Sequence, residues 1–174
     1  MKKLPQSTWL VTLIIGFLTL GSARADYFSK IEPRLMQVAD GKKEDFKKPA
    51  KNPKYVAIYY SAHWCPPCRA FTPKLVDWYQ GFKAKHENFE LVFASSDKDE
   101  KSMLEYMTET KMPWPAMKFG TNKDPNVKKY AASGIPYLVL IGESGQNLTG
   151  AKDNEWQAPQ GVLTKIEELV GENK

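Results

Sequence analysis

The chain contains two cysteines, Cys65 and Cys68, separated only by Pro66 and Pro67. Shortly before Cys65 runs Tyr55-Val-Ala-Ile-Tyr-Tyr-Ser61, whose β-branched and aromatic residues predict a buried strand. After the pair, Phe71, Leu75, Trp78, Tyr79 and Phe82 recur at steps of three and four, which predicts an amphipathic helix. His63 and Trp64 form the turn between them. Pro66 and Pro67 suit a first helical turn, where backbone N–H groups have no partner anyway, and Pro73 inside the pattern is expected to kink the helix. At such a junction the Cys65 thiol meets the positive end of the helix dipole and unpaired N–H donors, both of which stabilise a thiolate. Cys65 can be exposed there, and Cys68, one turn on, is close enough to resolve a mixed disulfide.

The first 25 residues read as an address. Lys2 and Lys3 precede an apolar run from Trp9 to Leu20, and Ala23-Arg24-Ala25 places small residues at a cleavage site. That order describes a secretory signal peptide over residues 1–25, and the run is shorter than the ~20 residues of a spanning helix. The remainder, 26–174, is long enough for one domain. Of the 25 basic residues three lie in the leader and none of the 20 acidic ones do, so the remainder is nearly neutral. No basic stripe remains, and nucleic acid is not an expected partner. The leader's form suggests export to a bacterial periplasm.

Outside the cytoplasm cysteines mainly form structural disulfides, which stabilise by closing long loops. A Cys65–Cys68 bridge closes a tiny loop and makes a poor staple. Zinc requires four ligands, and only His63 and His86 could complete a set, with His63 too close in sequence to fit comfortably. A redox pair needing neither metal nor organic cofactor is the remaining reading.

Elsewhere the pattern alternates strand and helix. Residues 89–95 predict a strand, Ser96 or Asp97 the cap of a helix with Met103, Leu104 and Met107 on its apolar face, and Asp124-Pro125 the start of a short helix through Ala131. Residues 137–141 predict a strand, followed by a hairpin turn into 147–149; Val162, Leu163, Ile166, Leu169 and Val170 predict a final helix. The Lys/Glu-rich stretch 42–54 reads as a solvated connector, and the segment before Leu35 is polar apart from Tyr27, Phe28 and Ile31. The class is α/β, a central mixed sheet with helices on both faces.

A C-x-x-C beside such a pattern points to a thioredoxin-like motif. Trp64-Cys65-Pro66-Pro67-Cys68-Arg69, with Ser61-Ala62-His63 before it and Phe71-Thr72-Pro73 after, resembles the tryparedoxin and nucleoredoxin branch of the thioredoxin-like superfamily. The resemblance continues through Ser95-Ser96-Asp97, Met112-Pro113-Trp114 and Gly134-Ile135-Pro136. It implies a thioredoxin-like fold with Cys65 as nucleophile and Cys68 as resolving cysteine. It further implies a cis peptide bond at Pro136 beside the pair, and an Ile135 backbone that pairs with an extended substrate. From residue type alone, Pro136 could be an ordinary strand-opening proline. Trp64, Pro66 and Ile135 are the implied substrate contacts, although a tryptophan is by default a core residue. Thioredoxins carry a buried acid six residues before the first cysteine, where this chain has Tyr59. The proton of Cys68 then goes to Tyr59, a water or an acid elsewhere. His63 could assist the thiolate when protonated or be a solvated turn histidine, and Arg69 could be a plain surface cation.

The implied activity is thiol–disulfide exchange that reduces disulfides of exported proteins; the exported compartment, not the residues, adds a membrane thiol-electron transporter as the expected electron source. The same atoms run the reverse oxidation of substrate thiols. Two other readings are a thiol reductase for cytochrome c assembly, whose usual acidic insert is not evident, and a peptide-holding chaperone module on the same fold. If the leader reading holds, intact mass spectrometry of the exported protein finds a chain beginning at Asp26; an uncleaved Met1 terminus overturns it.

Overall fold

The computed structural model describes residues 26–150 and 155–172; the leader and its cleavage site lie outside them. In chain order the elements are α1 (Tyr27–Ile31), β1 (Leu35–Ala39), β2 (Lys42–Asp45), β3 (Tyr55–Ser61), α2 (Pro66–Lys83), β4 (Phe89–Ser95), α3 (Glu100–Glu109), β5 (Ala116–Met117), α4 (Pro125–Lys128), β6 (Tyr137–Gly142) and α5 (Pro159–Gly171). The strands form one mixed sheet in the order β2-β1-β5-β4-β3-β6. β3 runs parallel to β4, from Tyr55 opposite Phe89 to Ser61 opposite Ser95, and antiparallel to β6, with Tyr60 opposite Tyr137.

Alternation along the strands divides the core in two. Ala57, Tyr59, Leu91, Phe93, Leu138 and Leu140 face α2, α3 and α5. Val56, Ile58, Tyr60, Val92, Ala94, Val139 and Ile141 face the side covered by α1 and by Val127 of α4. Both faces of β3, β4 and β6 are dry, which is why these strands are apolar apart from Ser61, Glu90 and Ser95. Helix α2 continues through Pro73 to Lys83 even though Pro73 has no N–H for the preceding turn.

Several elements differ from the sequence expectations. Tyr27, Phe28 and Ile31 are buried in a helix rather than set in a polar lead-in. Lys42–Asp45, part of the expected connector, is an edge strand on β1 with every side chain exposed. An edge wet on both faces has no apolar alternation to reveal it, and its charges discourage further pairing. The cap of α3 is Asp99, not Ser96 or Asp97, and its buried face includes Tyr106. Helix α4 stops at Lys128, three residues short of the expected end, and Tyr130 instead reaches the Gly145 carbonyl at 2.5 Å. Residues 147–149 make a single bridge, Ile141 to Asn147, with Leu148 N–H donating to the Leu140 carbonyl at 2.8 Å, rather than a full hairpin strand.

Asp26 caps α1, accepting from the Ser29 N–H at 2.8 Å, the Ser29 hydroxyl at 3.0 Å and Asn52 Nδ2 at 3.0 Å. Partial burial acts to raise its pKa, but the donors from Asn52 and Ser29 outweigh this and hold the carboxyl below its ordinary 3.8. A depressed carboxyl stabilises the fold above its unfolded-state pKa, and that contribution is lost as pH falls through the folded-state value. Replacing Asp26 with Ala is therefore expected to lower stability by about 1 kcal/mol at neutral pH. In urea unfolding, the gap to the wild type should shrink as the pH is taken below 3.8; a gap independent of pH would contradict the capping role.

Candidate functional site

The sheet delivers the carboxyl ends of β3 and β4 to one place, and the turn 62–64 starts there. The Ser96 N–H donates to the Ser61 carbonyl at 2.8 Å. Asp97 pins the turn: one carboxylate oxygen accepts from the His63 N–H at 2.8 Å and the other from the Ser95 hydroxyl at 2.8 Å. Asp97 therefore organises the approach to Cys65 instead of capping α3. Sequence alone gives no sign of this, because its partner lies 34 residues away.

Cys65 is the N-cap of α2, in an extended conformation, and its Sγ accepts from the Cys68 N–H at 3.3 Å. Pro66 and Pro67 have no N–H, so the Cys68 amide is the first donor of the helix, and it is aimed at Cys65 Sγ. The two cysteines form a disulfide with their Cα atoms 5.2 Å apart. Cys65 is only 3% exposed and Cys68 wholly buried. The first-turn position suggested more exposure for Cys65; Ala62 and Ile135 pack beside the pair and cover it.

The Ile135–Pro136 peptide bond is cis. The Ile135 carbonyl oxygen lies 3.9 Å from Cys65 Sγ. A disulfide sulfur has no proton to give, so this is a contact that the reduced thiol could convert into a hydrogen bond. A groove beside Cys65 is lined by Trp64, Pro66, Ser96, Gly134 and Ile135. Trp64 is 59% exposed, not a core residue, and its Nε1 donates to the Ser96 carbonyl at 3.1 Å.

His63 is partly exposed but held. Its Nε2 lies 3.0 Å from Glu109 Oε2, and its ring stacks on Tyr106 at 5.6 Å between centroids, which ties it to α3. His86, the other histidine considered for zinc, stacks on Phe82 near the far end of α2. That helix has 18 residues, a length of about 27 Å, so the two histidines are not gathered around the cysteines. Arg69 is exposed.

Beneath Cys68 lies a buried knot of four hydroxyls. Thr72 Oγ1 donates to the Cys68 carbonyl at 3.0 Å. The same oxygen lies 2.9 Å from the Tyr59 hydroxyl and 2.5 Å from that of Tyr106, which in turn is 3.0 Å from Ser61 Oγ. A threonine hydroxyl has one proton. With that proton on the Cys68 carbonyl, both tyrosines must donate to Thr72, and Ser61 must donate to Tyr106. Burial, reinforced by the neighbouring Tyr106, pushes the Tyr59 phenol far above its ordinary pKa. A phenol that keeps its proton and directs it at Thr72 is a donor, which argues against Tyr59 as the base for Cys68. Thr72 and Tyr106 were missed from sequence because each looks like an ordinary helix residue.

The thioredoxin-like family matches residues 52–147. Over 97 residues the chain is 48% identical to a probable nucleoredoxin 1 of Arabidopsis thaliana, covering 55% of this chain and 16% of that protein. Nucleoredoxin of Homo sapiens is 38% identical over the same length, covering 55% and 22%. The match thus spans less than a quarter of these curated relatives. Among solved structures, thioredoxin from Wuchereria bancrofti superposes with a TM-score of 0.59 at 34% identity, covering 80% of this chain and 97% of that one. Tryparedoxin I from Leishmania major gives a TM-score of 0.59 at 30% identity, covering 79% and 90%.

The hydroxyl knot yields a stability test. Thr72→Val leaves two buried phenols without their acceptor, and is expected to cost about 1–3 kcal/mol in urea unfolding of the oxidised protein. Tyr106→Phe should cost less, and the two changes together should cost less than their sum because they share one network. Strict additivity would mean that the hydroxyls are not coupled.

Proposed function

The chain belongs to the thioredoxin-like family, and from that premise we propose that it is a thiol–disulfide oxidoreductase that reduces disulfides of exported proteins. The observation that carries this reading is the Cys68 N–H directed at Cys65 Sγ at the head of α2, beside the cis-proline loop. The similarity to nucleoredoxins and tryparedoxins supports it.

In the reduced form the Cys65 thiolate attacks one sulfur of a substrate disulfide. The substrate S–S bond breaks, a mixed disulfide forms, and the departing thiolate takes a proton from solvent. Cys68 loses its proton and attacks Cys65 Sγ. The second substrate thiol leaves, and the Cys65–Cys68 bond closes. Two electrons pass from the cysteine pair to the substrate. Trp64 and Pro66 wall the approach, and the backbone at Ile135, held by Pro136, aligns an extended substrate by strand addition. Thr72 and the two tyrosines hold the first turn of α2 in place while sulfur bonds change partners. A dithiol donor must re-reduce the pair; for an exported protein in a bacterial periplasm, this is a membrane thiol-electron transporter.

The reduction potential of the pair, titrated in thiol/disulfide buffers, decides the direction. A value near about −270 mV fits a reductase, whereas one near about −120 mV makes the protein a disulfide donor. Cys65→Ser is expected to abolish reduction of insulin by dithiothreitol-charged protein. Cys68→Ser should accumulate a mixed disulfide visible by mass spectrometry. A Cys65→Ser protein that still turned over disulfides would overturn the assignment.

A further inference from the structure

Among the described residues three large apolar side chains are exposed: Trp64, Trp156 at 48% and Phe119 at 38%. One of the three lines the cis-proline groove, and a second packs against a residue of its wall. Trp64 lines it directly. Trp156 approaches from the segment before α5 and donates its Nε1–H to the Pro136 carbonyl at 2.8 Å. Its ring lies against Gly134, where a Cβ would meet Trp156 Cδ1 at 3.4 Å, an ordinary packing distance. The segment is tied down next door, where Gln157 Nε2 donates to the Thr149 carbonyl at 2.5 Å.

The two indoles are used alike. Each has a single polar hydrogen, and each gives it to a backbone carbonyl belonging to or adjoining a groove wall, Ser96 for Trp64 and Pro136 for Trp156. What remains facing solvent is ring surface, held by a fixed hydrogen bond at little further entropic cost. Such an anchored, half-exposed indole is the type of group that dominates recognition interfaces. Trp64 lines the groove together with Cys65, and Trp156 lies against Gly134, which also lines it.

We propose that Trp156 is a specificity-determining residue: a second indole platform that packs an apolar side chain of a polypeptide substrate running along Gly134 and Ile135 toward Cys65. The inference rests on the thiol–disulfide reading above. It makes Trp156 matter for polypeptide disulfides, which extend beyond the reacting sulfur, and not for small disulfides that reach Cys65 without crossing Gly134. Trp156 touches no reacting atom, so the sulfur chemistry and the redox equilibrium are independent of it.

The test compares full-length wild type and Trp156→Ala on insulin and on 5,5′-dithiobis(2-nitrobenzoate), together with the equilibrium potential of the pair. The variant is expected to raise KM for insulin about five- to tenfold. Its rate with the small disulfide should stay within about twofold of wild type, and its potential should be unchanged. An unchanged insulin KM, or an equal loss on both substrates, overturns the proposal while leaving the redox reading intact. Wild-type protein inactive on both substrates overturns the redox reading and this inference with it. If Trp156→Ala does not fold, Trp156→Phe carries the test. Its smaller ring lacks the N–H, so it should raise KM for insulin alone by about two- to threefold, and no rise counts against the proposal.

Discussion

One threonine hydroxyl connects the three elements on which the redox site stands. Thr72 belongs to α2, Tyr59 to β3 and Tyr106 to α3, and their oxygens meet in a region without solvent. Buried polar groups are costly unless paired, and in low dielectric a fully paired set is correspondingly specific. Thr72 gives its one proton to the Cys68 carbonyl and uses its two lone pairs to accept from the two phenols. The knot therefore fixes the register of the first helical turn against the sheet, and so the relation between two sulfurs at the end of that turn. Apolar packing alone would hold the helix on the sheet but would distinguish much less sharply between neighbouring positions along it.

A second set of ties works from the surface side. Asp97 joins the end of β4 to the turn before Cys65. His63 reaches across to Glu109 and lies flat on Tyr106, the same tyrosine whose hydroxyl enters the knot. The loop carrying Cys65 is thus gripped from below by hydroxyls and from the side by the carboxylates of Asp97 and Glu109. The cis-proline loop closes the remaining side. These contacts give rigidity to a segment that has few apolar side chains of its own, as a reactive site on a scaffold requires.

Much of this was legible in the residues. Strands β3 and β4 and helix α2 follow from local composition and periodicity because each is long, and either buried on both faces or strongly two-faced. The cysteine pair was legible because a C-x-x-C at a strand-to-helix junction has few other uses. The edge strand Lys42–Asp45 was not, since exposure removes the alternation that marks a strand. Nor was the short helix Tyr27–Ile31, whose five residues are too few to show a period. Asp97, Tyr106 and Trp156 escaped for a different reason. Their partners, at His63, Thr72 and Pro136, are distant in sequence, and only the folded sheet brings them together.

The paired prolines between the cysteines bear on which way electrons flow. A helix start with free amides can offer a thiolate several backbone donors, and each one lowers the energy of the reduced state. A reduced state made too comfortable keeps its electrons, which is how a dithiol becomes a strong oxidant. With Pro66 and Pro67 both lacking N–H, the first turn supplies the Cys68 amide and withholds the two before it. That leaves the sulfur at the head of α2 a single backbone donor from the first turn, which limits how far the helix start favours a reduced pair.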